Sequence, residues 1–249
     1  MSGKKAFAGS GGIAGSVGDK IKAPNAAWSF GGSVADSFSD HVRRSVPLYD
    51  MGHDLICKLS DYFVKQGSAC YEIGVSVGEL LAKLAKHNQR KEVQWVGLDV
   101  EEAMIKKARE VTKGLKNITL EVADVNTYDY GKSDFIVSYY CVQFISPKHR
   151  QALINKIYES LNWGGAFIWF EKVRGPDARF QDILSTLYND YKLEQHYSAE
   201  EIISKTRSLK GVLEPFSTQG NLDLLKRAGF VDVMTVMKYL CFEGFLAIK

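Results

Sequence analysis

The amino-acid sequence predicts an α/β domain in which strands and helices alternate around a mostly parallel β-sheet. Three observations carry this prediction: a glycine-rich turn over residues 71–78, acidic residues at three regularly spaced strand ends, and a closing pair of strands after Gly229. Open sheets of this class bind their ligands in a crevice at the carboxyl ends of the strands. We therefore expect the binding site at that edge of the sheet.

The turn reads Tyr-Glu-Ile-Gly-Val-Ser-Val-Gly and lies between a short apolar run and a helical pattern. Gly74 and Gly78 would allow a tight bend and a close approach of the backbone to a ligand. A helix starting near Glu79 would direct its free N–H groups to the same place. Taken alone, the segment is equally compatible with an ordinary strand-to-helix turn.

Two further apolar runs, 93–99 and 118–124, also end in an acidic residue. Asp99 lies at the distance along the chain where such domains place a ribose-binding carboxylate. Asp124 could meet an adenine amino group, with Val125 covering the ring. Any one of these acids alone would be interpreted as a helix cap or a solvated turn residue. Their regular spacing favours a nucleoside-binding site.

The turn departs from the dinucleotide-binding glycine pattern because it lacks the third glycine, which packs a helix beneath a pyrophosphate. S-adenosylmethionine contains adenosine and no phosphate. At this point the chain resembles the class I S-adenosylmethionine-dependent methyltransferase fold, with Glu72 as the acidic residue of its first motif. The resemblance implies a Rossmann-like, seven-stranded, mostly parallel sheet that ends in an antiparallel hairpin.

Composition narrows the class of protein. No apolar run among the 249 residues reaches the roughly 18 needed to span a membrane, so no membrane association is expected. A net charge of +3 on scattered basic residues gives no case for nucleic-acid binding. The four cysteines form no C-x-x-C pair, which favours free thiols in a reducing, cytoplasmic compartment and no metal site.

The chain is expected to form a single domain over 25–249, preceded by a mobile tail over 1–24 that is too rich in Gly, Ser, Ala and Lys to pack. The predicted helices cover 34–40, 49–64, 147–161 and 222–228. The glycines at 164 and 165 are expected to stop the third of these helices, and Gly229 is expected to cap the fourth. The later strands are predicted at 135–140, 166–171, 231–239 and 242–249. The first two helices should cap the cleft. A helical insertion over 175–214 should carry substrate specificity.

From residue 28 onward the chain also resembles a narrower family, the carboxy-S-adenosyl-L-methionine synthases. The similar segments are Trp28-Ser29-Phe30, Arg-Ser-Val-Pro-Leu-Tyr at 44–49, Val-Gln-Phe-Ile at 142–145, residues 151–158, Glu171-Lys172 and Thr-Arg-Ser-Leu at 206–209. The resemblance implies a homodimeric enzyme that takes S-adenosylmethionine and prephenate and moves the released carboxyl carbon onto the cofactor methyl group. The products would be phenylpyruvate and carboxy-S-adenosyl-L-methionine.

The resemblance also implies roles for individual residues. Tyr49 would contact the cofactor from the lid. The methionine end of the cofactor would be lined by Gly74, Val75 and Ser76, its ribose by Asp99 and Val100, and its adenine by Asp124 and Val125. Tyr139 would contact the cofactor from the end of the fourth strand. Arg207 would grip the added carboxylate, since a guanidinium can form two charge-assisted hydrogen bonds to it. Arg207 and Tyr49 are the candidate catalytic residues.

Several of these residues have simpler interpretations. Tyr49 could be a packing aromatic of its helix, and Ser76 a turn residue. Arg207 could be a surface arginine that pairs with Glu201 or Glu214, which would be the preferred interpretation without the family resemblance.

The sequence departs from the family pattern in the cofactor region. Tyr139 and Val100 replace asparagines, and the usual Gly-Cys-Ser-Leu-Gly turn is Gly-Val-Ser-Val-Gly. Each lost polar contact would weaken binding by about 0.5–1.5 kcal/mol. The sequence therefore indicates a divergent member of the family.

Two other functions remain open from the sequence. The chain could be an ordinary small-molecule methyltransferase, in which Tyr139 shapes the acceptor pocket and Arg207 binds an acidic substrate. It could also be a non-catalytic protein that has kept the cofactor cleft.

No motif identifies the second substrate, although Arg174, Arg179, His196 and Tyr197 in the insertion could supply hydrogen-bond donors.

Overall fold

The computed structural model of the chain describes residues 14–19, 21–31 and 34–249. Its strands are β1 (Gly15–Ser16), β2 (Lys22–Ala23), β3 (Ala69–Ile73), β4 (Gln94–Asp99), β5 (Ile118–Val122), β6 (Ser133–Tyr139), β7 (Leu161–Lys172), β8 (Asp232–Tyr239) and β9 (Phe242–Ile248). Its α-helices are α1 (Val34–Ser45), α2 (Tyr49–Phe63), α3 (Glu79–His87), α4 (Glu102–Val111), α5 (Pro147–Ser160), α6 (Ala178–Glu194), α7 (Ala199–Ser208) and α8 (Thr218–Ala228).

The main sheet has seven strands in the order β5-β4-β3-β6-β7-β9-β8. The strands from β5 to β7 are parallel to their neighbours, whereas β9 pairs antiparallel with both β7 and β8. The predicted fold class is therefore confirmed, including the closing hairpin. The strand order reverses on either side of β3, which makes its carboxyl end the switch point where such sheets bind ligands.

Successive side chains of the central strands enter separate apolar layers on the two faces of the sheet. Phe135 and Phe170 lie in the layer beneath α2 and α3, while Ile136 and Trp169 lie in the layer beneath α5 and α8. All four side chains are buried. Burial on both faces explains why these strands read as continuous apolar runs.

The N-terminal region differs from the predicted tail. Residues 1–13 lie outside the described part of the chain, but β1 and β2 form an antiparallel hairpin. Val17 and Ile21 of this hairpin are buried and pack in one cluster with Trp28 and Met104. The described residues 14–19 and 21–24 are therefore packed where a tail was predicted, because a few well-placed apolar side chains bury against the domain although the local composition is polar.

The helix that precedes β7 does not end on a glycine stop. It ends at Ser160, and Leu161 already has extended backbone angles (φ −65°, ψ 139°). Gly164 (φ 77°) and Gly165 lie within β7, where they exchange backbone hydrogen bonds with Lys249. These glycines therefore shape the start of the strand and its contact with the chain end.

None of the described helices is long and apolar enough to cross a membrane.

The remaining differences are in element bounds. Helix α1 extends to Ser45, beyond the predicted end at residue 40, and α8 begins at Thr218 instead of 222. The Ser217 side chain accepts a hydrogen bond from the Gly220 N–H, which fixes the earlier start of α8.

Helix α2 packs on the sheet through an aromatic cluster. The His53 ring is fully buried, with its centroid 4.5 Å from that of Tyr49 and 4.8 Å from that of Tyr139. Neither ring nitrogen has a hydrogen-bond partner among the described residues. Burial lowers the pKa of His53 to about 3, so the imidazole is neutral in the folded protein at neutral pH.

We predict that His53→Phe makes the protein more resistant to mild acid. Below about pH 6.5 the unfolded chain takes up a proton that the buried ring refuses, so the free energy of unfolding falls by about 1.4 kcal/mol per pH unit. Between pH 7 and pH 5 the variant should lose about 2 kcal/mol less than the wild type. Urea unfolding at both pH values measures this, with His149→Gln as the exposed-histidine control. Equal losses in wild type and variant would contradict the prediction.

Candidate active site

The turn after β3 depends on residues that tolerate positive φ. Gly74 (φ 72°) and Gly78 (φ 81°) both have left-handed backbone angles, and Ser76 (φ 51°) lies between them. A Cβ on Gly74 would collide with the Cys141 side chain, and one on Gly78 would lie 3.0 Å from the Cα of Ala108. Both glycines are therefore required by space as well as by conformation.

The Asp99 carboxylate is fixed at the end of β4. Its Oδ2 accepts a hydrogen bond from the Ser76 N–H (2.9 Å), and its Oδ1 accepts one from the Glu101 N–H (3.0 Å). Burial raises the pKa of Asp99, although these two N–H groups partly offset the effect. The side chain is thus held by backbone donors before any ligand arrives.

Glu72 lies beside it and is nearly inaccessible to solvent. Burial, followed by the charge of Asp99, raises the pKa of Glu72 well above its usual value. One of its carboxyl oxygens, Oε2, has no hydrogen-bond partner among the described residues. A ligand that donates hydrogen bonds would satisfy this oxygen, and the ammonium and hydroxyl groups of S-adenosylmethionine are such donors.

The predicted adenine end lies after β5. Asp124 Oδ1 accepts hydrogen bonds from the backbone N–H (2.9 Å) and the side-chain amide (2.7 Å) of Asn126. Val125 is buried, whereas Val100, 60% exposed, borders the open side of the same cavity. Aspartate, valine and amide groups therefore frame one end of the cleft.

These residues line a single cavity of about 960 Å³. The predicted site residues that line it are Tyr49, Gly74, Val75, Ser76, Asp99, Val100, Asp124, Val125 and Tyr139. Of the four donors suggested in the insertion, Arg174 and Tyr197 line the cavity, and Arg179 and His196 do not. The structure thus brings together all of the sequence-predicted site except Arg207.

Arg207 is exposed and does not line the cavity, so its predicted contact with the added carboxylate stays a prediction. The residues of this helical stretch that line the cavity are Glu201, Ile202, Lys205, Thr206, Leu209 and Lys210. Their spacing is that of one helix face, and Arg207 falls outside it. Its side chain forms no ion pair with Glu201 or Glu214 in the described structure either.

Tyr139 joins the sheet to the lid helix. Its hydroxyl donates a hydrogen bond to the Tyr49 carbonyl (2.7 Å), and the two ring centroids are 5.1 Å apart. The Tyr139 ring fits because residue 52 of α2 is glycine: a Cβ there would lie 3.0 Å from Cζ and collide with the hydroxyl. At position 139, where the resemblance implied a lost polar contact to the ligand, the structure shows a hydroxyl that is hydrogen-bonded to helix α2.

Four lysines line the cavity, Lys172, Lys192, Lys205 and Lys210, and none of them was predicted from the sequence as a site residue. Lys205 Nζ donates to His41 Nε2 (2.9 Å) and lies over the Trp28 ring. Lys172 stands at the end of β7, a position from which strand residues reach the cleft. The position of Lys172 at a strand end could have indicated it from the sequence. The placement of Lys192 and Lys205 against the cavity depends on how α6 and α7 pack, which the sequence does not show.

Comparisons with known proteins agree with this geometry. Residues 71–165 match the family model described as a methyltransferase domain. The solved structure of an O-methyltransferase family protein from Burkholderia thailandensis matches with a TM-score of 0.61 at 14% identity, covering 86% of this chain and 59% of that protein. Fold and site together define a class I S-adenosylmethionine-dependent enzyme, and the unsatisfied Glu72, the glycine turn and Asp99 fit that cofactor.

Sequence relatives define the family within this class. A carboxy-S-adenosyl-L-methionine synthase from Campylobacter lari is 35% identical over 223 residues, covering 89% of this chain and 94% of the relative. One from Sulfurimonas denitrificans is 36% identical over 238 residues, covering 93% and 99%. The chain belongs to the carboxy-S-adenosyl-L-methionine synthase family.

We predict that Gly52→Ala destabilises the protein by roughly 1–3 kcal/mol through overpacking against Tyr139. Without that collision, alanine would favour the helix by about 1 kcal/mol. In a Tyr139→Asn background the same substitution should therefore be neutral or stabilising. Urea unfolding of the four proteins forms a double-mutant cycle, and equal effects in both backgrounds would contradict the contact.

We also predict that Asp99→Asn raises the Kd for S-adenosylmethionine at least about 10-fold, because hydrogen bonds to a charged acceptor contribute about 1.5–3 kcal/mol. Calorimetric titration of the ligand-stripped protein measures this. Asp129→Asn is the matched control, since Asp129 is exposed and does not line the cavity. An unchanged Kd, or an equal rise in the control, would refute the role of Asp99.

Proposed function

We propose that the protein converts S-adenosylmethionine and prephenate into carboxy-S-adenosyl-L-methionine and phenylpyruvate. The observation that carries this proposal is membership of the synthase family along about nine-tenths of this chain, with the two relatives matched over 94% and 99% of their length. The ordinary methyltransferase reaction, which the sequence left open, has no such support from these relatives.

We assign the cofactor to the part of the cavity at the ends of β3, β4 and β5. In this arrangement the glycine turn and Glu72 meet the methionine portion, Asp99 accepts the ribose hydroxyl hydrogens, and Asp124 with Val125 holds the adenine. The cofactor supplies a sulfonium that acidifies the hydrogens of its methyl group. The protein residues position this methyl group and exclude water from it.

The cavity continues past the cofactor region toward β6, β7 and the inserted helix α6. Its volume of about 960 Å³ lies at the upper end of the range typical for small-molecule sites. The helices α1 and α2 cover one side, and α6 and α7 cover another. This supports binding of a second organic molecule beside the methyl group, away from solvent.

We further propose that the protein acts as a homodimer in the cytoplasm. Helix α6 exposes Phe180, Ile183 and Leu187, which follow one another at helical spacing and form an apolar stripe. Such a stripe is suited to a second copy of the chain. All four cysteines are free thiols, which is consistent with a reducing compartment.

The test is mass spectrometry of the small molecules after incubating the ligand-stripped protein with S-adenosylmethionine, with and without prephenate. We expect a species heavier than S-adenosylmethionine by the mass of carbon dioxide only when prephenate is present. Stripping excludes product carried over from the expression host. Unchanged cofactor in both samples, or transfer of a methyl group to an added acceptor, would reject the proposal.

The placement of Arg207 gives a separate prediction. Because its side chain points away from the cavity, Arg207→Leu should change the ratio of the affinities for carboxy-S-adenosyl-L-methionine and S-adenosylmethionine by less than about twofold, or about 0.4 kcal/mol. Competitive titration with the two ligands measures the ratio. A lost preference for the carboxylated ligand would restore the role that the sequence predicted.

A further inference from the structure

Helix α6 has an unusual buried residue. Along Ala178–Glu194 only Lys192 is buried, with 7% of its surface exposed, while the apolar Phe180, Ile183 and Leu187 face solvent. Lysine is almost never buried in this way unless its ammonium is paired. The helix therefore inserts a cation into the cavity where an apolar side chain would ordinarily be placed.

A second lysine lies against the same aromatic ring. Lys192 Nζ is 4.5 Å from the centroid of Tyr188, and Nζ of the half-buried Lys172 is 4.2 Å from it. The Tyr188 hydroxyl donates a hydrogen bond to the Ser45 carbonyl (2.8 Å), which fixes the ring between α6 and α1. Two ammonium groups are thus held around one rigid ring at the cavity wall.

Neither ammonium has a counter-ion in the part of the chain that the structure describes. No carboxylate forms an ion pair with Lys172 or Lys192, and neither Nζ donates a hydrogen bond to a protein atom. Burial, followed by the charge of Lys172, lowers the pKa of Lys192 to about 8, which leaves it mostly protonated at neutral pH. The nearby Cys241 thiol is neutral, because burial raises its pKa.

The other cations near the cavity are less suited to bind an anion there. Lys205 is already hydrogen-bonded to His41 and covered by Trp28, and burial lowers the pKa of Lys205 to about 6. Arg207 is exposed and does not line the cavity, and Arg174 and Lys210, which do line it, are exposed to solvent. Lys172, which is half-buried, and Lys192, which is buried, are therefore the cavity-lining donors without a partner among the described residues. Holding them unpaired costs free energy that a bound anion would recover.

We propose that Lys172 and Lys192 form the subsite that binds the carboxylates of the acidic second substrate. Tyr188, Tyr140 and Phe242 supply an apolar wall for the ring of that substrate, with the centroids of Tyr140 and Phe242 5.7 Å apart. The subsite lies at the ends of β6 and β7, next to the cofactor region at β3 and β4, within one cavity. This proposal deepens the proposed function and depends on it for the identity of the substrate as a dicarboxylic acid.

The experiment compares Lys172→Met and Lys192→Met with Lys226→Met, an exposed lysine of α8 outside the cavity. Methionine keeps the length and apolar character of the lysine stem and removes the charge. We expect each cavity variant to raise the KM for prephenate at least 10-fold and to bind S-adenosylmethionine within twofold of the wild type. Thermal unfolding of the ligand-free variants should move to higher temperature, since an unpaired buried charge is gone.

This combination separates a binding role from a structural one, because a lysine that supports the fold would lower the unfolding temperature when replaced. Lys192→Arg should restore part of the affinity for prephenate. Unchanged KM values for prephenate in both variants would overturn the subsite. It would also be overturned if both variants lost stability and their affinity for S-adenosylmethionine fell as much as their affinity for prephenate.

Direct titration with prephenate separates this inference from the proposed reaction. If the wild type binds prephenate, the variants do not, and no carboxylated product forms, the subsite stands and the proposed reaction fails. If product forms and both variants bind prephenate as tightly as the wild type, the subsite fails and the reaction stands. A wild type that binds no prephenate overturns both.

Discussion

The binding site depends on one carbonyl group. The backbone oxygen of Leu98, near the end of β4, accepts hydrogen bonds from the N–H groups of both Gly74 and Val75 at 2.8 Å. This double contact turns the chain sharply at the end of β3 and joins two neighbouring strands. The next residue after Leu98 is Asp99, so the same contact sets the position of the carboxylate relative to the turn. Ser76 then donates its N–H to Asp99 and closes the arrangement.

The site is organised at a cost in stability. Glu72 and Asp99 lie close together, and burial raises the pKa of each. Across the cavity, Lys172 and Lys192 have no counter-ion within the described part of the chain. Acidic side chains on one side of the cavity and basic side chains on the other are thus held in place with little contact to water. This is typical of sites where contacts with a ligand complete the hydrogen bonding. The apolar layers on both faces of the sheet supply the free energy that maintains this arrangement.

The sequence was a good guide where position along a strand determines position in space. The strand ends at Glu72, Asp99 and Asp124 could be placed because parallel strands bring their carboxyl ends to one edge. It was a poor guide to helix phase: Arg207 lies within two residues of the cavity-facing Lys205, and that difference rotates a side chain to the opposite face. The packing of residues 14–19 and 21–24 was also missed, since Val17 and Ile21 are too few to change the local composition.

The contact between Gly52 and Tyr139 also restricts the order in which this sequence can have changed. A tyrosine at 139 has room only above a helix that carries no Cβ at position 52. Glycine at 52 must therefore have been present before, or together with, the tyrosine, if each intermediate was to fold well. With tyrosine in place, position 52 can no longer accept a larger residue, so the two positions are epistatic. If the earlier residue at position 139 was the asparagine that the family resemblance implies, a return to it must come before position 52 can accept a larger residue.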